Sequence, residues 1–223
     1  MLPYNLTVSC LPMSSVRQLY YPPLLENQFY HIYNRGNNGD NLFYSPENYG
    51  YFLRQLDLYV GAYTKTFAYC LLPNHFHLLV QVVDFTTLLS EQQTIRHGSR
   101  VIDVPESVVS EQFRRFFVGY AKAIKVQESR TGSLFEKNFQ RKLVDSDAYF
   151  TNLIAYIHQN PKRHGISDDF AQYPYSSYGR HLHPRPSKLQ KTDVLNWFGG
   201  PDHYVKFHQQ TPDNRLISEL IID

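Results

Sequence analysis

The run Ala68-Tyr-Cys-Leu-Leu-Pro-Asn-His-Phe-His-Leu-Leu-Val80 is apolar except for a Pro-Asn step and two histidines one residue apart. Residues 63–72 read as one strand and Pro73-Asn74 as a turn. His75 to Val82 then reads as a second strand returning beside the first. Successive side chains on a strand point to opposite faces, so His75 and His77 project from one side and Phe76 from the other. Two neutral imidazoles side by side on a rigid strand form half of a divalent-metal site. That places a metal, and with it chemistry, on the face of a sheet. A lone His-x-His is more often structural than catalytic. The chain carries its own control in His181-Leu-His183, which precedes Pro184 in a polar stretch and receives no role.

Around that hairpin the periodicities alternate. Phe29 to Tyr33 is aromatic and branched, as strands are, and Asn34-Arg-Gly-Asn-Asn-Gly39 breaks it. Ser45-Pro46-Glu47 is a helix start, followed by Tyr49, Phe52, Leu53, Leu56 and Val60 at helical spacing. Asp84 to Ser90 resembles another helix start, and residues 91–109 show no period and read as a loop or insertion. Glu111 to Ser129 is an amphipathic helix with Phe113, Phe116, Phe117, Tyr120, Ala121 and Ile124 as its apolar stripe. Phe139 to Val144 reads as a further strand. A helix from Asp147 to Gln159 buries Phe150, Leu153, Ile154 and Ile157, and Asn160-Pro161 is expected to stop it. A short helical pattern spans Asp193 to Phe198. The order implies an α+β fold: a ferredoxin-like antiparallel sheet of four to five strands with helices packed on one face. The expected organisation is an N-terminal arm at 1–28, a catalytic domain at 29–165, and a C-terminal extension at 166–223 on or near that domain.

Composition narrows the partners. With 223 residues, 42% of them hydrophobic, the chain can bury a sizeable core. Its 18 tyrosines and 15 phenylalanines mostly suit an aromatic core, and some could stack on unpaired bases. A net charge of +2 is too small for a duplex-coating protein, so any nucleic-acid contact rests on local patches. Cys10 and Cys70 form no CxxC pair, which fits a reducing cytosol and argues against a disulfide framework or cysteine-ligated zinc. The N-terminus lacks a basic segment followed by an apolar one, and no apolar run reaches spanning length. The expectation is a cytoplasmic protein with no membrane partner.

Two histidines do not complete a metal site, and the helix after Asp147 supplies further candidates. Tyr156 and Asn160 are four apart and share a helix face, with Tyr149 two turns back. An Asn carbonyl is a hard oxygen donor suited to magnesium or manganese. A tyrosine one turn from such a ligand is placed to attack what the metal polarises. Taken singly, Tyr156 would be a core-edge tyrosine and Asn160 a helix-terminal residue before proline. Tyr149 is the rival nucleophile, and one turn after it stands only Leu153. Candidate phosphate contacts are Arg114, Arg115, Lys122 and Lys125 on one helix arc, and Arg141 and Lys142. Lys162 and Arg163 follow the site helix directly. Asn34 and Arg35 suit turn chemistry or base contact equally.

These blocks resemble a known family. Tyr33-Asn-Arg-Gly36, Leu72-Pro-Asn-His-Phe-His-Leu-Leu79, Gly132-Ser-Leu-Phe135, Tyr156-Ile-His-Gln-Asn-Pro-Lys-Arg-His-Gly165 and Tyr173-Pro-Tyr-Ser-Ser177 occur in the order found in REP-associated tyrosine transposases. Those are single-tyrosine HUH nucleases related to small insertion-sequence transposases. The likeness runs from about residue 29 to about 178. It implies that His75 and His77 hold a divalent metal, Mg2+ or Mn2+, with Asn160 as third ligand and Tyr156 as nucleophile. It implies a single-stranded or hairpin DNA substrate, cleaved through a 5′-phosphotyrosine link that leaves a free 3′-hydroxyl and needs no ATP. It also implies a monomer, whereas the insertion-sequence relatives are dimers that share sites. Segment 91–109 looks long for the family. Two other readings remain open from the residues themselves: a non-catalytic module that binds single strands on an aromatic sheet, and a metal-dependent phosphoesterase in which water attacks.

Overall fold

A computed structural model describes residues 22–85 and 105–210. Four strands form one antiparallel sheet: β1 (Phe29–Arg35), β2 (Thr64–Leu72), β3 (His75–Val82) and β4 (Gln140–Val144), in the spatial order β2-β3-β1-β4. Helix α1 (Pro46–Val60) links β1 to β2, and α2 (Pro105–Gln127) precedes β4. This is the ferredoxin-like α+β arrangement, with four strands. The residues after β4 form α3 (Asp147–Arg163), α4 (Tyr178–Leu182), α5 (Lys191–Trp197) and α6 (Pro201–His208).

The period of two along β3 sorts its side chains into two cores. Phe76, Leu78, Val80 and Val82 join Tyr30 and Ile32 of β1 in one cluster. Phe52, Leu56 and Val60 of α1 and Val109, Phe113, Phe116, Tyr120 and Ile124 of α2 cover it. Phe52 and Phe116 meet edge-on at 4.9 Å, a favoured aromatic geometry. The opposite face carries Phe67, Ala68, Cys70, Leu72 and Leu79, covered by Phe150, Leu153, Ile154 and Ile157 of α3. The two linking helices thus share one face, and α3 seals the other. Strands buried on both sides read as near-continuous apolar runs, which is the character of β2 and β3.

Local signals explain the boundaries. Pro46 opens α1, and the Asn48 side-chain oxygen accepts from the N–H groups of Tyr44 and Ser45 at 2.9 and 3.1 Å. Helix α2 begins at Pro105, so residues 105–109 of the expected loop belong to it, and Val108 and Val109 are buried. Proline suits a first turn, where its missing N–H has no helical partner. Residues 91–104, and Thr86 onward of the expected helix at 84–90, lie outside the described residues. Helix α3 does not stop at Asn160-Pro161 but runs to Arg163. Proline there removes one bond near the helix end, and the turn closes beyond it. Gly165 has φ +64°, the left-handed conformation that suits glycine, and Ile166 N–H bonds to Pro161 C=O at 2.8 Å.

Residues 166–210 run back over the second face. They cap the β2 edge through Tyr175 C=O to Leu71 N–H at 3.0 Å, Tyr69 C=O to Ser177 N–H at 2.9 Å, and Thr66 C=O to Gln190 N–H at 2.9 Å. A buried polar chain ties this segment to α3. His208 Nδ1 donates to the Tyr204 carbonyl at 2.7 Å, which leaves its Nε2 as acceptor for His158 Nδ1–H at 2.8 Å. His158 Nε2 then accepts from the Ser177 hydroxyl at 2.7 Å, and that oxygen accepts the Tyr69 N–H at 2.9 Å. The chain is satisfied only with both imidazoles neutral. His158 therefore points away from the face of Tyr156, and His181 lies buried beside it with ring centroids 5.6 Å apart.

Burial holds His158 well below the ordinary histidine value, His181 at about 3 and His208 at about 4. Between those values and about 6.5 the unfolded chain binds protons that the folded chain refuses, so stability falls as pH falls. Each such group contributes up to about 1.4 kcal/mol per pH unit, and the three together about 4. Calorimetry in chelator is expected to show the melting temperature dropping steeply from pH 6.5 to 4.5. A flat profile over that range would contradict the assignment of neutral buried histidines.

Candidate metal and tyrosine site

Strand pairing sets the site. His75, His77 and Leu79 of β3 stand opposite Arg35, Tyr33 and His31 of β1, all on the face covered by α3. The pairing is anchored at its end by the Gly36 N–H donating to Asn74 C=O at 2.7 Å, directly before His75. Gly36 must be glycine, because a Cβ there would meet the Asp40 carbonyl oxygen at 1.8 Å. From the other side, α3 buries Leu153 and Ile157, and the same rotation lowers Tyr156 onto the sheet with Asn160 one turn on.

Tyr156 meets His77 and His164 meets His75, which places Asn160 midway between those two contacts along the chain. The rings of His75 and His77 lie 5.3 Å apart at right angles. Tyr156 meets His77 edge-on at 5.5 Å. Its ring is buried to 2% exposure and covered by the Arg163 guanidinium at 5.3 Å. The Asn160 side-chain nitrogen donates to the Tyr156 carbonyl at 2.8 Å.

Hydrogen bonding fixes which atoms face inward. Asn74 Nδ2 reaches the Gly39 carbonyl at 3.5 Å, so its Oδ1 faces His75 Nδ1 at 2.7 Å. An amide oxygen only accepts, so His75 carries its proton on Nδ1 and a lone pair on Nε2. Asn160, with its nitrogen engaged, presents Oδ1. His77 Nδ1 contacts His31 Nε2 at 2.9 Å. The buried atoms left without a hydrogen-bond partner include His75 Nε2, His77 Nε2 and Asn160 Oδ1. Unpaired buried polar atoms are costly, so these three, on the facing residues of β3 and α3, are open to an added ligand; both ring nitrogens of His181 are unpartnered as well, so an orphaned atom does not by itself make a site. Two imidazole nitrogens and one amide oxygen fit a divalent cation of intermediate hardness. Among the described residues no group of three or more His, Cys, Asp or Glu is placed to hold a metal, at this site or elsewhere, so a cation here would depend on the Asn160 oxygen as well as the two imidazoles.

Electrostatics keeps the donors available. Burial, then His164 and Arg35, lowers His75 to about 3. Burial, then His31 and His75, holds His77 well below the ordinary value. Burial, then Lys142, lowers His31 to about 3. All three are neutral at physiological pH, the protonation state a metal requires.

The structure separates the remaining candidates. Lys162 and Arg163 end α3 beside the site and are exposed. Arg35 lies on the site face across from His75 and pairs with Glu136 at 3.4 Å. Asn34 points to the other core, is 5% exposed, and gives its oxygen to the Arg35 N–H at 2.8 Å. Arg114, Arg115 and Lys122 sit on α2, across the sheet from Tyr156. Arg114 pairs with Glu111 at 2.6 Å and Arg115 lies over the Tyr59 ring at 5.7 Å. These residues do not join the site. Tyr149 stands earlier on α3, under the Lys142 ammonium at 5.7 Å. Sequence reasoning missed His31 and His164. His31 meets His77 edge to edge, and His164 packs against His75 with centroids 4.6 Å apart. A histidine two positions before Tyr33 on the same strand was the available signal for His31, but its neighbour across the sheet depends on register.

No protein-family model matches the sequence. A Haemophilus influenzae protein named as a REP-associated tyrosine transposase is 26% identical over 146 residues, spanning 64% of this chain and 71% of that protein. A solved REP-associated tyrosine transposase bound to a REP hairpin superposes with a TM-score of 0.54 at 13% identity, covering 73% of this chain and 84% of that one. The chain therefore resembles REP-associated tyrosine transposases in sequence and shares the fold of one. No helix among the described residues is long and apolar enough to cross a membrane.

Manganese is expected to raise the melting temperature of the metal-free protein, and His75→Ala or Asn160→Ala to abolish that rise. Binding at 100 times Kd corresponds to about 2.7 kcal/mol. A manganese-induced shift that survives both substitutions would place the cation elsewhere.

Proposed function

We propose that this protein, similar to REP-associated tyrosine transposases, is a single-stranded DNA endonuclease and strand transferase that acts beside hairpins. The observation that carries the reading is that three unpaired buried donors, His75 Nε2, His77 Nε2 and Asn160 Oδ1, stand on the β3 and α3 residues around the contact of Tyr156 with His77. A magnesium or manganese ion held by those donors would polarise the scissile phosphate and favour the phenolate.

The chain's own groups account for the rest. The Tyr156 hydroxyl loses its proton and its oxygen bonds to phosphorus. The bond from phosphorus to the 3′ oxygen breaks, and that oxygen is protonated. The products are a 5′-phosphotyrosine and a 3′-hydroxyl, and the reverse reaction joins a new 3′ end. A phenol ordinarily titrates near pH 10, so positive charge near it is needed at neutral pH. Arg163 over the Tyr156 ring supplies some. Lys162, Arg163 and Arg35 are the candidate phosphate contacts that the fold leaves on the side of the site. The structural neighbour's REP hairpin supports a hairpin substrate for this chain too. Tyr156 meets His77 of its own chain, so the proposed site needs no residue from a second copy, and a monomer is the working unit in this proposal.

Incubation with hairpin-flanked single-stranded oligonucleotides in manganese is expected to give a covalent protein–DNA band on a denaturing gel. Tyr156→Phe and chelator should each abolish the band while hairpin binding persists. An adduct formed by Tyr156→Phe would exclude this nucleophile. Strand cleavage by Tyr156→Phe without any adduct would instead favour attack by water.

A further inference from the structure

We infer that His31 is a positioning residue that holds His77 in the tautomer able to bind a cation. The inference rests on the metal reading given above. His31 and His77 lie on neighbouring strands of one sheet face, their rings within 15° of coplanar and meeting edge to edge with centroids 5.1 Å apart. His31 Nε2 and His77 Nδ1 are 2.9 Å apart, and neither residue is exposed. Tyr33 packs beside both rings, with centroids 4.6 Å from His31 and 6.0 Å from His77, so the His31 ring has little room to turn.

A neutral imidazole has one N–H and one lone pair. A contact between two ring nitrogens therefore needs one donor and one acceptor. If His77 keeps its proton on Nδ1, His31 Nε2 is the acceptor and His77 Nε2 presents its lone pair to the site. If the proton moves to His77 Nε2, that atom becomes a donor aimed at a cation, and binding fails. Asn74 Oδ1 can only accept, which fixes the proton on His75 Nδ1; His31 Nε2 can donate or accept, and it supplies the acceptor that His77 needs when its Nε2 lone pair faces a cation. Each imidazole of the pair has a group behind it that can accept, and His75 Nε2 and His77 Nε2 are left without a partner, as is the far nitrogen of His31, Nδ1. Such supporting contacts commonly carry a factor of about 10–100 in metal affinity. His31 is among no group that would touch the phosphate or the cation, and acts through His77.

The test is a manganese titration of the full chain, with free ion read by electron paramagnetic resonance. The proteins are the wild type, His31→Gln, His31→Phe and His75→Ala. Metal-free circular dichroism and hairpin binding in chelator check that each is folded. His31→Phe, which fills the space but cannot accept, is expected to weaken binding about 10–100-fold, and His31→Gln, which keeps an acceptor, to recover most of it. Adduct formation by His31→Phe should need more manganese yet reach a similar maximal rate. His31→Leu replaces His31→Phe in the comparison if the latter does not fold. Unchanged affinity in the folded apolar variant, or equal loss in His31→Gln, would overturn the inference. Wild-type binding no tighter than that of His75→Ala would remove the metal site itself.

Discussion

The antiparallel pairing of β1 with β3 is the contact on which the rest depends. Its register puts Phe76, Leu78 and Val80 into one core and His75 and His77 onto the opposite face. A slip of one residue would exchange the two sets, driving imidazoles into the α1–α2 layer and exposing aromatics to the site. The apolar face therefore specifies where the histidines stand. Each fully buried side chain of that face is worth about 1.5–3 kcal/mol, which makes the wrong register prohibitively unstable. The same logic runs through α3, where burial of Leu153 and Ile157 fixes the rotation that presents Tyr156 and Asn160.

The site gathers three buried atoms without a hydrogen-bond partner, a state that His181 shares elsewhere in the fold. Most buried polar groups elsewhere are paired through helices, ladders and the His208–His158–Ser177 chain. At the meeting of β3 and α3, three donors are held by bonds through their other atoms, and the outward atoms stay open. This is preorganisation: the amide and rings are oriented before any ligand arrives, so less ordering is needed at binding. The segment that follows α3 belongs to the same device. It covers the β2 edge and locks α3 from behind through His208 and Ser177.

Much of this was legible in the residues. The period of two at His75–Val82 and the helical stripe at Phe150–Ile157 gave the strand, the helix and the faces that meet. Three things were not legible. The helix passes Pro161, because a proline near a helix end costs little when Gly165 can close the turn. The basic arc of Arg114, Arg115 and Lys122 has the right helical period, yet α2 packs on the sheet's other face, and periodicity does not say which face a helix takes. His31 became visible only with the register, since its partner lies 46 residues away in the chain. Local pattern sets the element and its buried side; the meeting of elements is a tertiary matter.

The central claim is that the Tyr156 oxygen is the atom that receives the phosphate. Mass spectrometry of the covalent complex, digested with nuclease and trypsin, reads this directly. The peptide between Lys142 and Lys162 contains both Tyr149 and Tyr156, so fragmentation must assign the added nucleotide. The account predicts the nucleotide mass on Tyr156. A nucleotide on Tyr149, or on any residue outside that peptide, would contradict it.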